Sequence, residues 1–86
     1  MMIDKEQERK RIGQRIKTLR TNVEWKDAEG LLHKGMTQGE LAERAGLQLT
    51  HISRIEAGKY SIGIDTLAAI IQVFGKRIDF ADLRKS

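Results

Sequence analysis

The sequence predicts a small all-α domain of four to five helices with a small β-hairpin inserted between the first and second. Apolar residues recur at helical spacing in four separate segments: Ile12, Ile16 and Leu19; Leu41, Ala42 and Ala45; Ile52 and Ile55; and Leu67, Ile70, Ile71 and Phe74. The last three segments each run into a glycine, Gly46, Gly58 and Gly75, the residue that ends helices in the left-handed conformation. Residues 22–36 break this pattern, because there apolar and polar residues alternate around a glycine-containing loop.

The first helix is expected over about Lys5 to Thr21. Ile12, Ile16 and Leu19 give it a core-facing stripe, opposite the solvated charges of Arg9, Lys10, Arg11 and Lys17. In the insertion, Val23 to Lys26 and Leu31 to Lys34 flank Asp27-Ala28-Glu29-Gly30 and read as two strands of a hairpin. An isolated hairpin is marginal in water. A third strand over residues 77–81 would steady it, and the same stretch also suits a short fifth helix. An exposed Trp25 on the hairpin offers a surface for self-association, together with the segment around Ile78 to Phe80.

Thr37 followed by Glu40 is a capping box, so a second helix starts at about Gln38. Gly46 turns the chain sharply, Leu47 plugs the corner, and a third helix runs from about Leu49 to Ala57. Gln48 stands at its N-cap, where glutamine caps poorly. A fourth helix covers about Ile64 to Phe74. With Leu41, Ile52 and Ile55, these stripes should form most of the core.

Eighty-six residues allow one domain, 1–86, whose core is small enough that a partner subunit would help it fold. There is no cysteine, hence no disulfide framework or thiolate metal site. The N-terminal run MMIDKEQERKRIG is charged throughout, and no apolar run approaches the roughly 20 residues of a membrane span. The expectation is a cytoplasmic protein with no membrane association. His33 and His51 are the only histidines, and neither an HExxH spacing nor a glycine-rich phosphate loop occurs. Neither catalysis nor a cofactor is expected.

The span from Met36 to Lys59, MTQGELAERAGLQLTHISRIEAGK, resembles the helix-turn-helix of the Cro/repressor (XRE-type) DNA-binding family. Leu41, Ala42, Ala45, Gly46, Leu47, Ile52 and Ile55 fill its apolar, small and turn positions without a gap. The resemblance implies a lambda-repressor-like fold with the helix-turn-helix at 37–57, and it makes the insertion at 22–36 the main departure from the family.

In such proteins the second helix of the motif lies in the major groove. The side opposite Ile52 and Ile55 presents Leu49, Thr50 and Arg54 as base readers, with His51 at the rim. Arg54 can fork onto guanine, and Thr50 can touch a thymine methyl or donate one hydrogen bond. Leu49 offers apolar contact alone, where the family commonly has a polar residue. The resemblance further implies that Gln38 bonds phosphate from a helix N-terminus, that Lys59 and Tyr60 meet the backbone beside His51, and that Arg20 pairs with Glu56.

The net charge of +4 permits nucleic-acid binding without arguing for it. Over residues 37–63, three Lys/Arg (Arg44, Arg54, Lys59) stand against three Asp/Glu (Glu40, Glu43, Glu56), so the reading element is locally neutral. Phosphate attraction must draw on the first helix, Lys34 and Lys59, and non-specific affinity should be modest.

The expected function is therefore a transcriptional regulator binding double-stranded DNA, most simply as a homodimer on a palindromic operator. The alternative is the antitoxin of a toxin-antitoxin pair, or a protein-interaction adaptor, using the same fold. No effector domain is read, so control is expected through dose, partner or turnover.

Overall fold

A computed structural model describes residues 3–80. Its elements, in chain order, are α1 (Lys5–Asn22), β1 (Glu24–Lys26), β2 (Leu32–Lys34), α2 (Gln38–Ala45), α3 (Leu49–Glu56) and α4 (Ile64–Val73). The architecture is all-α with a two-stranded antiparallel hairpin between the first two helices.

Local chemistry explains each boundary. Asp4 caps α1 by accepting the amides of Glu6 and Gln7 at 3.0 and 3.1 Å. At α2 the capping box is complete: the Thr37 hydroxyl accepts the Glu40 amide at 3.0 Å, and the Glu40 carboxylate accepts the Thr37 amide at 2.9 Å. Gly46 ends α2 at φ 71°, ψ 32°, a left-handed geometry that a Cβ would oppose. Gln48 stands at the N-cap of α3 without a side-chain cap, so nothing but backbone and packing fixes that helix start.

The core is a contact cluster of Ile16, Leu41, Ala42, Ile52, Ile55 and Ile70. Ile12, Ala45, Leu47, Ile62, Leu67, Val73 and Phe74 pack around it. Met36, just before α2, is also buried. The inward stripe of α1 is rotated from the one its apolar residues suggest: Gly13, Ile16 and Arg20 are buried, while Ile12 and Leu19 are half-buried.

In the hairpin Glu24 pairs with Lys34, Trp25 with His33 and Lys26 with Leu32. Asp27 organises the turn, accepting the Glu29 and Leu31 amides, each at 2.9 Å. The Gly35 amide on the Val23 carbonyl (2.7 Å) closes the base of the hairpin, and the Met36 amide on the Arg20 carbonyl (2.9 Å) ties it to α1.

Two expectations are corrected. Residues 77–80 form neither a third strand nor a fifth helix, and Ala81 lies outside the described residues. Ile78 and Phe80 are exposed, Phe80 by 97%, so the alternation there buries nothing that would fix a strand. Trp25 is not an exposed surface residue either. Its indole N–H donates to the Gly35 carbonyl at 2.8 Å, its ring stacks on His33 at 4.5 Å, and the Arg44 guanidinium lies 4.8 Å from the ring centre. Trp25 is the strand side chain turned inward, against Arg44 of α2.

Candidate nucleic-acid interface

The two faces of α3 differ sharply. Ile52 and Ile55 are 0% and 2% exposed and lie in the core, whereas Leu49 is 52% exposed and Thr50, Ser53 and Arg54 are exposed beside it. Eight residues at 100° per residue give little more than two turns, so one row anchors the helix and the opposite row is available to a ligand. Leu49 is an apolar side chain held in water, an arrangement that costs free energy in the unbound protein.

Gln48, Thr50, His51, Arg54 and Tyr60 line a shallow concavity of about 200 Å³ at this surface. The His51 ring packs edge-on against Tyr60, with centroids 4.7 Å apart and planes at 78°. Its Nε2 is buried and has no hydrogen-bond partner among the described residues. Tyr60, 40% exposed, thus fixes His51 at the rim while Thr50 and Arg54 are exposed on the outer side. Lys59 is exposed just past α3, and its amide closes the turn on the Arg54 carbonyl at 3.1 Å.

Behind the surface, a polar network fixes α3 against α1 and α2. Arg20 grips Glu56 with both fork nitrogens: Nε donates to Oε2 at 2.6 Å and Nη2 to Oε1 at 2.9 Å. Its third nitrogen, Nη1, donates to the Met36 carbonyl at 2.7 Å. Gln38 adds its side-chain amide to Glu56 Oε1 at 3.1 Å. The Glu56 side chain is 3% exposed and that of Arg20 11%, so the pair is dry and its geometry saturates the carboxylate. The hydrogen bond to Glu56 holds the Arg20 guanidinium above its ordinary pKa, against the opposing effect of burial. Gln38 is thereby drawn toward α3 at the first turn of α2.

One contact in this assembly has no apolar signature. At Gly13 the backbone of α1 meets the end of α3 directly, and an added Cβ would fall 2.3 Å from the Ile55 carbonyl oxygen. A glycine in mid-helix costs about 1 kcal/mol relative to alanine, so its presence between Ile12 and Ile16 signals such an approach.

These elements, a capped helix, a left-handed glycine and a second helix with one buried and one open face, form a helix-turn-helix, and the sequence model of that family matches residues 28–80. The chain belongs to the XRE/Cro-type helix-turn-helix family. The family is a DNA-binding one. The matched span begins inside the hairpin turn, so α1 and β1 lie outside it. Comparisons with curated proteins and with solved structures return no match. Among the described residues no helix is long and apolar enough to cross a membrane.

Proposed function

We propose that this helix-turn-helix protein is a sequence-specific transcriptional regulator that reads the major groove with α3, as a homodimer on a palindromic operator. The observation that carries the reading is the open row of Leu49, Thr50 and Arg54 opposite the buried Ile52 and Ile55. Arg54 supplies a bidentate donor for guanine, Thr50 a short hydroxyl and methyl, and Leu49 an apolar contact for thymine. His51 and Tyr60 line the concavity beside Thr50 and Arg54, and with Gln38 and Lys59 they contact phosphates, which fix register without reading sequence. One domain spans 1–86, with the helix-turn-helix at 37–57 and the insertion at 22–36.

The test is selection of binding sites from random DNA followed by footprinting. Enrichment of a two-fold symmetric site, with half-sites about one helical turn or 34–36 Å apart, is the expected result. Recovery of DNA with no common sequence would reject sequence-specific reading.

A further inference from the structure

The outer edge of β1 is self-complementary. In the β1–β2 ladder, the Asp27 amide bonds the Leu31 carbonyl (3.0 Å) and the Gly35 amide bonds the Val23 carbonyl (2.7 Å). Antiparallel pairs alternate between bonded and non-bonded, so the register places the bonded pairs at Val23/Gly35, Trp25/His33 and Asp27/Leu31. The amides and carbonyls of Glu24 and Lys26 therefore point away from β2, along the free edge. Both residues are exposed.

Among the described residues no strand pairs with that edge, and two further observations bear on it. The Trp25 indole leans over β2, bonded to the Gly35 carbonyl and stacked on His33, and Arg44 of α2 approaches the ring there. Leu32, His33 and Lys34 of β2 are exposed as well, so charge complementarity, and not burial, distinguishes the two edges. A two-stranded hairpin with three-residue strands is also marginal in water, and additional strands stabilise it.

We infer that β1 is the seat of self-association, pairing antiparallel with β1 of a second copy to give a four-stranded sheet in the order β2-β1-β1-β2. This inference rests on the homodimeric reading above and names the surface that would carry it. Centred on Trp25, the pairing places Glu24 of each copy directly opposite Lys26 of the other. Those are the residues whose backbone groups face outward, so the same register makes four N–H···O=C bonds and two opposite-charge cross-strand pairs. The self-pairing of β2 lacks this property: centred on His33 it would set Leu32 against Lys34. Because a strand pair this short buries less than a stable dimer interface needs, the association is of the weak class that binding to adjacent half-sites completes.

The experiment is a charge exchange read by sedimentation equilibrium of the full chain, with circular dichroism as the check on folding. Glu24→Lys and Lys26→Glu each replace two attractive pairs with two like-charge pairs, and each should weaken homodimerisation about tenfold. The double variant E24K/K26E restores opposite charges in reversed order and should return to near the parent value. An equimolar mixture of the two single variants should form a heterodimer stronger than either homodimer. The lysine that Glu24→Lys sets opposite Lys34 inside its own hairpin is present in that homodimer and in the mixture alike, so the recovery reports the interface. If the parent dimerises and neither single variant weakens it, or the mixture shows no recovery, the interface lies elsewhere and the dimer reading survives. If the parent is monomeric at every concentration and footprints a single half-site, both fall.

Discussion

Gly13 and Ile55 touch backbone to backbone: a Cβ at Gly13 would lie 2.3 Å from the Ile55 carbonyl oxygen and 2.8 Å from that of Glu56. The first helix thereby holds the C-terminal end of α3, and the holding surface is a glycine.

Gly13→Ala should therefore destabilise the protein by about 1–3 kcal/mol, although alanine is the better helix former by up to about 1 kcal/mol. Gly39→Ala supplies the contrast, since the nearest atom to its added Cβ is the Thr37 hydroxyl at 3.9 Å. Urea unfolding should show the second variant at or above parent stability. Equal effects of the two substitutions would mean that the α1–α3 contact is looser than its geometry.

Arg20 and Glu56 set the second expectation. Removing the arginine leaves a 3% exposed carboxylate side chain without its guanidinium and the Met36 carbonyl without its donor. Arg20→Ala should cost about 3–5 kcal/mol. Arg20→Lys keeps the charge and loses the fork, so it should fall between alanine and the parent. A double-mutant cycle with Glu56→Gln measures the coupling, and additive losses would show that the two residues act independently.

Of the helices, α2 was the most legible because it carries its own start and stop, Thr37 and Glu40 at one end and Gly46 at the other, while α1, α3 and α4 were legible mainly from apolar spacing. The hairpin was legible from alternation around Gly30. What the pattern leaves open is which face of the hairpin turns inward. Val23 and Trp25 share one face of the first strand against Glu24 and Lys26, but the Leu31-Leu32 pair leaves the face of the second strand undecided until the register is known. Burial of Trp25 is decided by Arg44 and the Gly35 carbonyl, partners that come from tertiary geometry. Arg20 facing the core was likewise invisible to an apolar stripe count, since it is buried by virtue of its ion pair. Gly13 left only the indirect signal of an unfavourable residue in mid-helix. The third strand over residues 77–81 was read from alternation without a docking surface to receive it.

The two faces of α3 separate stability from binding. Ile52, fully buried, should cost roughly 2–5 kcal/mol on truncation to alanine, enough to unfold much of a domain this small. Leu49→Ala should leave the thermal midpoint nearly unchanged and reduce affinity for the selected site. A melt in which Leu49→Ala is the more damaging change would reverse the assignment of the faces.

On DNA, Arg54→Ala should relax preference at one guanine-containing base pair by about 1–3 kcal/mol, and Lys59→Ala should weaken all sequences alike while lowering the salt slope by about one unit. Titrations of specific and random duplexes at several salt concentrations separate the two. Parallel losses for both variants on both duplexes would show that Arg54 reads no base.

Acid sensitivity should originate in the hairpin turn and the α2 cap. The hydrogen bond with His33, followed by the Leu31 amide, holds the Asp27 carboxyl below its ordinary range, and the Thr37 amide does the same for Glu40. A lower pKa in the folded chain means that the unfolded chain binds protons more readily. The stabilisation is therefore fully present above the ordinary carboxylate pKa of about 4 and is lost as pH falls through the lower folded-state values. Asp27→Asn and Glu40→Gln should each be less stable than the parent at about pH 6, and the gap should narrow as pH is lowered toward about 3. Urea unfolding across this range, followed by the fluorescence of the single tryptophan for Asp27→Asn and by helix ellipticity for Glu40→Gln, measures the gap. A difference from the parent that stays constant from pH 6 to 3 would mean that these carboxylates gain nothing from ionisation in the fold.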